Sequence, residues 1–274
     1  MALDPQLLAA ELSAAYASRQ TRVTPPSARD PQFDLPTAYA VEAELVRRRR
    51  AGGRATVGLK VGFANKAMWR VLRLETLVWA HMYDDTVRMA EANAATLPLG
   101  RMCAPKIEPE IVFKLRAPIG QGVSEPAAVL EAVEWLALGF EIIDCPFADW
   151  TFQPVDFVAA FGFHAALVIG EPLAVTPDII PALVDRLPRF AVRLAKDGAL
   201  VDEGSGRNSL RSPALCLGEL ASAVARRPGQ EPLAAGDLVS SGTLTTSQPI
   251  APGETWTATL DGLDLPALTL QTTM

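Results

Sequence analysis

A break in hydrophobic periodicity near residue 55 limits the folds open to this chain more than any other feature. Before it, apolar residues recur at helical spacing. After it, short β-rich segments alternate with Gly, Pro and Asp. Leu7, Leu8, Leu12 and Tyr16 predict a helix over residues 5–18, opened by Asp4 as cap and Pro5 in the first turn. The proline-bearing residues 20–35 read as a connector. A second helix is expected from a Thr37 cap through Ala40, Val41, Leu45 and Val46. It ends at Arg47–Arg50 and Gly52-Gly53, where basic side chains suit the helix dipole and glycine suits the turn. Strands are expected at 56–62, 107–115, 139–144, 164–170, 190–196, 237–241 and 255–260, with helices at about 125–137 and 213–226. Strands and helices do not alternate regularly, so the class is α+β, not doubly wound. The division falls between a helical extension, 1–54, and a β-rich domain, 55–274.

At 49% hydrophobic and 20% charged residues, the 274-residue chain has the balance of a folded protein. Its net charge of −6 opposes phosphate backbones, so no nucleic-acid partner is expected, and the arginine run reads as a solvated helix end. Three scattered cysteines give neither a disulfide framework nor a zinc pattern. No apolar run reaches the roughly 18 residues that span a bilayer, and Met1-Ala2-Leu3-Asp4-Pro5 is not a leader pattern, so a cytoplasmic protein without membrane contact is expected.

Three segments carry candidate chemistry. In Lys106–Phe113 strand alternation sends Ile107, Pro109, Ile111 and Phe113 one way and Glu108 and Glu110 the other. Two adjacent carboxylates in an apolar segment repel unless something positive compensates, and a hard cation such as Mg²⁺ or Mn²⁺ prefers oxygen ligands; an ordinary solvated strand face is the plainer alternative. In Gly139–Asp144, Glu141 interrupts an apolar run and needs a partner, whereas Asp144 and Asp149 suit turns or the surface. In Val57–Phe63, Lys60 interrupts another apolar strand; it either pairs with an acid or snorkels from an edge. His81 and His164 are too few for a histidine-rich zinc site. His164, alone in an apolar strand, is ordinarily a hydrogen-bonded core residue, with proton transfer as the sharper reading. Asp84 and Asp85 suit a turn.

Gly58-Leu59-Lys60-Val61-Gly62-Phe63 with Lys66 and Met68, Pro105-Lys106-Ile107-Glu108-Pro109-Glu110-Ile111, Phe140-Glu141-Ile142-Ile143, Asp149-Trp150, Gly204-Ser205-Gly206 and Gly236–Gly242 occur in this order. Together they resemble the 2-keto-4-pentenoate hydratase and 4-oxalocrotonate decarboxylase family, within the fumarylacetoacetate hydrolase-like superfamily. The resemblance implies a mixed β-roll with an N-terminal helical part, and Mg²⁺ or Mn²⁺ on Glu108, Glu110 and Glu141. It also implies Lys60 and Asp85 in the active site, a small 2-oxo acid as substrate, a homo-oligomer and a place in aromatic catabolism. The chain departs from the family's Asp-Asn-Ala-Ser stretch, carrying Ala160-Phe161-Gly162-Phe163 and then His164.

The implied reaction is hydration of a 2-hydroxy-2,4-dienoate to a 4-hydroxy-2-oxo acid, with Lys60, Asp85 and His164 as candidates to move protons. The alternatives are decarboxylation of a 2-oxo-3-enedioate, acylpyruvate C–C hydrolysis with His164 as base, and a non-catalytic partner subunit.

Overall fold

The computed structural model describes residues 3–120 and 122–274; Met1 and Ala2, read above for a leader, lie outside the described residues. Helix α1 (Pro5–Ala17) opens as expected, with Asp4 Oδ1 accepting from the backbone N–H groups of Gln6 and Leu7. A single turn, α2 (Pro26–Arg29), interrupts the connector. Helix α3 (Leu35–Ala51) starts earlier than expected. Its cap is Asp34, not Thr37, and Asp34 Oδ1 accepts from both the N–H and the hydroxyl of Thr37. Pro36 fits the first turn because an N–H there would lack a helical partner. At the other end Arg47 and Arg48 pair with Glu44, and Arg50 with Glu231.

The chain continues through β1 (Thr56–Gly62), α4 (Lys66–Leu72), β2 (Val78–Tyr83), β3 (Val87–Met89), β4 (Ala94–Pro98), β5 (Pro105–Leu115), α5 (Pro126–Glu131) and β6 (Val133–Asp144). Next come α6 (Pro154–Ala159), β7 (His164–Ile169), β8 (Leu173–Ala174), α7 (Ile180–Arg186), β9 (Ala191–Lys196) and β10 (Ala199–Ser205). The last elements are α8 (Pro213–Ala225), β11 (Leu238–Ser240), β12 (Gln248–Pro249), β13 (Thr255–Asp261) and β14 (Leu268–Thr273). The helix expected to reach residue 137 stops at Glu131, because Val133–Leu138 joins the ladder of β6 with β5.

Among the described residues the strands form two mixed sheets. The larger runs β2-β1-β11-β5-β6-β7-β3, with β12 beside β5 and β8 beside β6; the smaller runs β10-β9-β13-β14-β4. The larger sheet is curled. Three strand steps separate β1 from β6, about 14 Å in a flat sheet, yet Lys60 Nζ on β1 lies 2.8 Å from Glu141 Oε2 on β6. The interior of the curl is apolar at one end, where Met82, Val112, Ala137, Leu167 and Ile169 pack together. The opposite face of the same strands, including Ile111, Phe113, Leu138, Phe140 and Ile142, joins a larger cluster with Leu8, Leu12, Val41 and Leu45 of the N-terminal helices. One core therefore runs across residue 54.

Pro109 sits in the middle of β5 without breaking the ladder. Strand β11 pairs residues 112–114 and β12 pairs 106–107, which leaves Pro109 opposite the interval between them. Its carbonyl accepts there from Leu244 N–H, and its missing donor faces the same interval.

Candidate metal centre

The register places the acids. Glu108 on β5 is directly opposite Glu141 on β6, and Glu110 is opposite Gly139. Like charges facing across a ladder destabilise it. One oxygen from each of Glu108, Glu110 and Glu141 lies within 4.8 Å of the others. Glu110 and Glu141 are completely buried.

Each buried glutamate is hydrogen-bonded through one oxygen. Glu110 Oε2 accepts from the Ser240 hydroxyl at 2.6 Å and from Gly242 N–H at 2.8 Å, while Oε1 has no partner among the described residues. Gly242 adopts φ +91° to present that N–H, and a Cβ there would lie 2.8 Å from that of Ala64; glycine meets both demands. Glu141 Oε1 faces His164 Nδ1 at 3.0 Å. Its Oε2 meets the Lys60 ammonium at 2.8 Å, outside hydrogen-bond directionality. Orphaned carboxylate oxygens converging in a buried site fit a hard divalent cation, which prefers oxygen donors and offsets their repulsion.

Burial raises all three carboxyl groups, and their neighbours then separate them. Glu108 stays raised to about 7 although Lys60 opposes the shift. Glu110 is pushed well above the usual range by burial and by the other two glutamates. Burial also acts on Glu141, but Lys60 and His164 outweigh it and hold Glu141 below its usual value. Lys60 loses from burial and gains more from the three acids, so its pKa is raised. A folded state that keeps protons on Glu108 and Glu110 loses stability as pH rises from about 4.5 through about 7. The melting temperature of chelated protein is therefore expected to fall between pH 5 and pH 8, with added Mg²⁺ reducing the fall. A flat or rising profile in chelator would contradict this charge arrangement.

Glu108 and Lys60 line a cavity of about 380 Å³. Phe63, Trp150, Phe152, Phe157 and Phe163 form an aromatic wall, with Phe152 edge-on to Phe163 at 4.7 Å and Phe63 edge-on to Phe157 at 5.4 Å. Asn65, Asn208, Thr243 and Ser247 supply polar positions, and Lys106 Nζ lies 4.1 Å over the Trp150 ring. Phe161, Gly162 and Phe163 have φ of 58°, 57° and 57°, three consecutive left-handed residues. For each phenylalanine this costs about 1–3 kcal/mol. At Gly162 a Cβ would lie 2.7 Å from that of Ala80 and 3.0 Å from Lys60 Cδ, so glycine lets this turn pack against β2 beside the lysine stem.

Of the residues expected at the site, Glu108, Glu110, Glu141, Lys60 and His164 come together and Asp85 does not. Asp85 ends in a turn beyond β2, ion-paired to Arg49 and Arg54. Strand β2 pairs Tyr83 with Thr56, at the far end of β1 from Lys60, about 13 Å along the strand. Asp144 is also placed differently from the surface role expected: it is 2% exposed and accepts from the N–H groups of Cys103 and Ala104, fixing the entry into β5. Ser240 and Gly242, whose donors hold Glu110, carry no signal of that role in the sequence beyond the Gly236–Gly242 stretch of the resemblance. Asp149 is exposed in a turn, as expected. His81 pairs with buried Glu42 at 2.6 Å, away from this cluster.

The model of the fumarylacetoacetate (FAA) hydrolase C-terminal family matches residues 72–269. The chain belongs to this family. It is 30% identical over 233 residues to a 2-keto-4-pentenoate hydratase of Paraburkholderia xenovorans, covering 85% of this chain and 82% of that protein. It is 28% identical over 233 residues to a 4-oxalocrotonate decarboxylase of a Pseudomonas species, covering 85% and 84%. A solved 4-oxalocrotonate decarboxylase from Pseudomonas putida, complexed with magnesium and adipate, superposes with a TM-score of 0.86 at 24% identity, over 98% of this chain and 97% of that one. The fumarylpyruvate hydrolase of Pseudomonas aeruginosa, with Mn²⁺ and pyruvate, superposes at 0.57 and 18% identity, over 79% and 88%. Within the superfamily the chain therefore sits with the 2-keto-4-pentenoate hydratases and 4-oxalocrotonate decarboxylases, with the α+β fold expected of them.

Proposed function

We propose that this protein is a metal-dependent hydratase that adds water to a 2-hydroxy-2,4-dienoate and yields a 4-hydroxy-2-oxo acid. The observation that carries the reading is the trio Glu108, Glu110 and Glu141 at one end of a curled sheet, beside Lys60 and open through Glu108 to an aromatic-walled cavity. The hydratase relatives support the reaction class. Mg²⁺ or Mn²⁺ bound by the three glutamates would supply Lewis acidity to the carboxylate and 2-oxygen of the substrate.

The remaining work falls to the chain. Lys60 is the protonated group that both lines the cavity and touches the acid cluster. It is assigned to relay protons to the substrate carbon chain: to C5 as the dienol becomes a 2-oxo-3-enoate, with the proton released from O2 restoring Nζ, then to C3 as water adds at C4 and its released proton restores Nζ again. Asn65, Asn208 and Thr243 can orient that water, and the phenylalanine wall keeps other water away. His164 lies behind Glu141 and faces a second cavity. That position weakens acylpyruvate hydrolysis, which needs a base beside the substrate. Asp85, held by two arginines, is given no catalytic part.

One observation favours a second reading. The Lys106 ammonium rests on Trp150 in the cavity wall, makes no ion pair among the described residues and acts on Glu108 only through its charge. It could accept the distal carboxylate of a 2-oxo-3-enedioate, the substrate type of a decarboxylase. Purified protein with Mg²⁺ is expected to convert the monoacid dienoate to its 4-hydroxy-2-oxo product and to release little CO₂ from the diacid. Predominant CO₂ release would favour the second reading, and product from neither substrate would remove both. A homo-oligomer and a cytoplasmic setting belong to the same proposal. No helix among the described residues is long and apolar enough to cross a membrane.

A further inference from the structure

We infer that His164 is a positioning residue for the metal centre: it anchors Oε1 of Glu141 and leaves Oε2, which faces the Lys60 ammonium, to be shared with the cation. The inference rests on the metal reading above, not on which substrate is used.

Each buried glutamate has one oxygen fixed by directional hydrogen bonding; the other is free at Glu110 and faces only the Lys60 ammonium, at 2.8 Å, at Glu141. The Ser240 hydroxyl and Gly242 N–H engage Glu110 Oε2 and leave Oε1 free. At Glu141 no hydroxyl or backbone N–H takes that part. The donor is the His164 ring, 3.0 Å from Oε1. An ionised carboxylate only accepts, so Nδ1 carries the hydrogen. The other ring nitrogen, Nε2, meets the Thr86 hydroxyl at 2.9 Å, and that hydroxyl also contacts the backbone of Tyr83. The imidazole is thus fixed at both ends, with a side chain only 1% exposed. A carboxylate fixed through one oxygen presents the other in a single orientation, and partners of this kind set the affinity of metal sites.

Two features of the chain aim the ring. Strand β7 pairs Ala166 with Ile142 and then His164, not Ala165, with Ile143. This irregularity shifts the alternation by one residue and turns His164 to the face that carries Glu141. The left-handed run Phe161-Gly162-Phe163 immediately precedes it and delivers the strand at that point.

The test is Mn²⁺ titration of the full chain, followed by electron paramagnetic resonance, for wild type and three variants. His164→Asn keeps an N–H near the position of Nδ1 and is expected to bind within about threefold of wild type. His164→Leu fills similar space without a donor and is expected to bind about 10–100-fold more weakly. Thr86→Val keeps the ring and removes its outer anchor; it is expected to fall between the two, and it serves if the leucine variant does not fold. Melting temperatures in chelator show whether each variant is folded. The inference is overturned if leucine binds as wild type does, if asparagine is as weak as leucine, or, should leucine not fold, if Thr86→Val matches wild type. A wild-type chain that binds no Mn²⁺ overturns the metal reading and this inference together. A chain that binds Mn²⁺ in a His164-dependent way but turns over neither substrate leaves the inference standing and removes only the proposed reaction.

Discussion

Glu110→Gln is expected to lower turnover about a thousandfold, the scale of several kcal/mol of lost Lewis-acid stabilisation, without unfolding the protein. Glutamine has the shape of a protonated glutamate, and burial with two acidic neighbours already drives Glu110 toward that state when no cation is bound. The contacts to Ser240 and Gly242 can persist through the amide oxygen. Metal-free stability should therefore change little. The stabilisation by Mg²⁺ should disappear: for wild type at a hundred times its dissociation constant this is about 2.7 kcal/mol. Steady-state kinetics and melting curves with and without Mg²⁺ check both halves. Retained turnover together with a retained Mg²⁺ shift would show that Glu110 is not a ligand.

Lys60→Met should damage stability and catalysis together. Methionine matches much of the lysine stem, so the space beside Gly162 remains filled. What is lost is the ammonium 2.8 Å from Glu141. Removing one partner of a buried ion pair costs about 3–5 kcal/mol, because the other charge stays behind. Here it remains among two further acids. Loss of proton transfer should lower turnover about 10²–10⁴-fold. Mg²⁺ should recover part of the stability and none of the turnover, which separates the two effects. A variant with wild-type turnover would remove Lys60 from the mechanism.

The parts that were legible in the sequence were those where local pattern and tertiary demand agree. Strand β1 has its expected bounds, and Lys60 interrupts it because an acid awaits it across the curl. The alternation of Glu108 and Glu110 with Ile107 and Ile111 marks one face of β5 in the sequence itself. The failures have physical causes. The helix expected at about 125–137 ends at Glu131, because pairing with β5 outweighs helix propensity from Val133 onward. Strand β10 carries Asp202, Glu203 and Gly204, and β14 carries Gln271, Thr272 and Thr273, so neither shows the apolar run by which the other strands are read. The orientation of His164 was hidden because it depends on a one-residue irregularity that depends on neighbouring strands. Asp85 was placed by its motif position, and only the packing of α3 shows that Arg49 reaches it first.

The opposed pair Glu108 and Glu141 bears on how the chain assembles. Strands β5 and β6 are consecutive strands joined through α5, so their antiparallel pair can form before the more distant β1 closes on it. The acidic end of the pair is then pushed apart, while the neutralising Lys60 waits on β1, far back in the chain. Closure of the curl by β1 and zipping of that end are one event. Magnesium present during synthesis should act as a folding aid as well as a cofactor, and chains made without it should dwell longer with this end of the pair open.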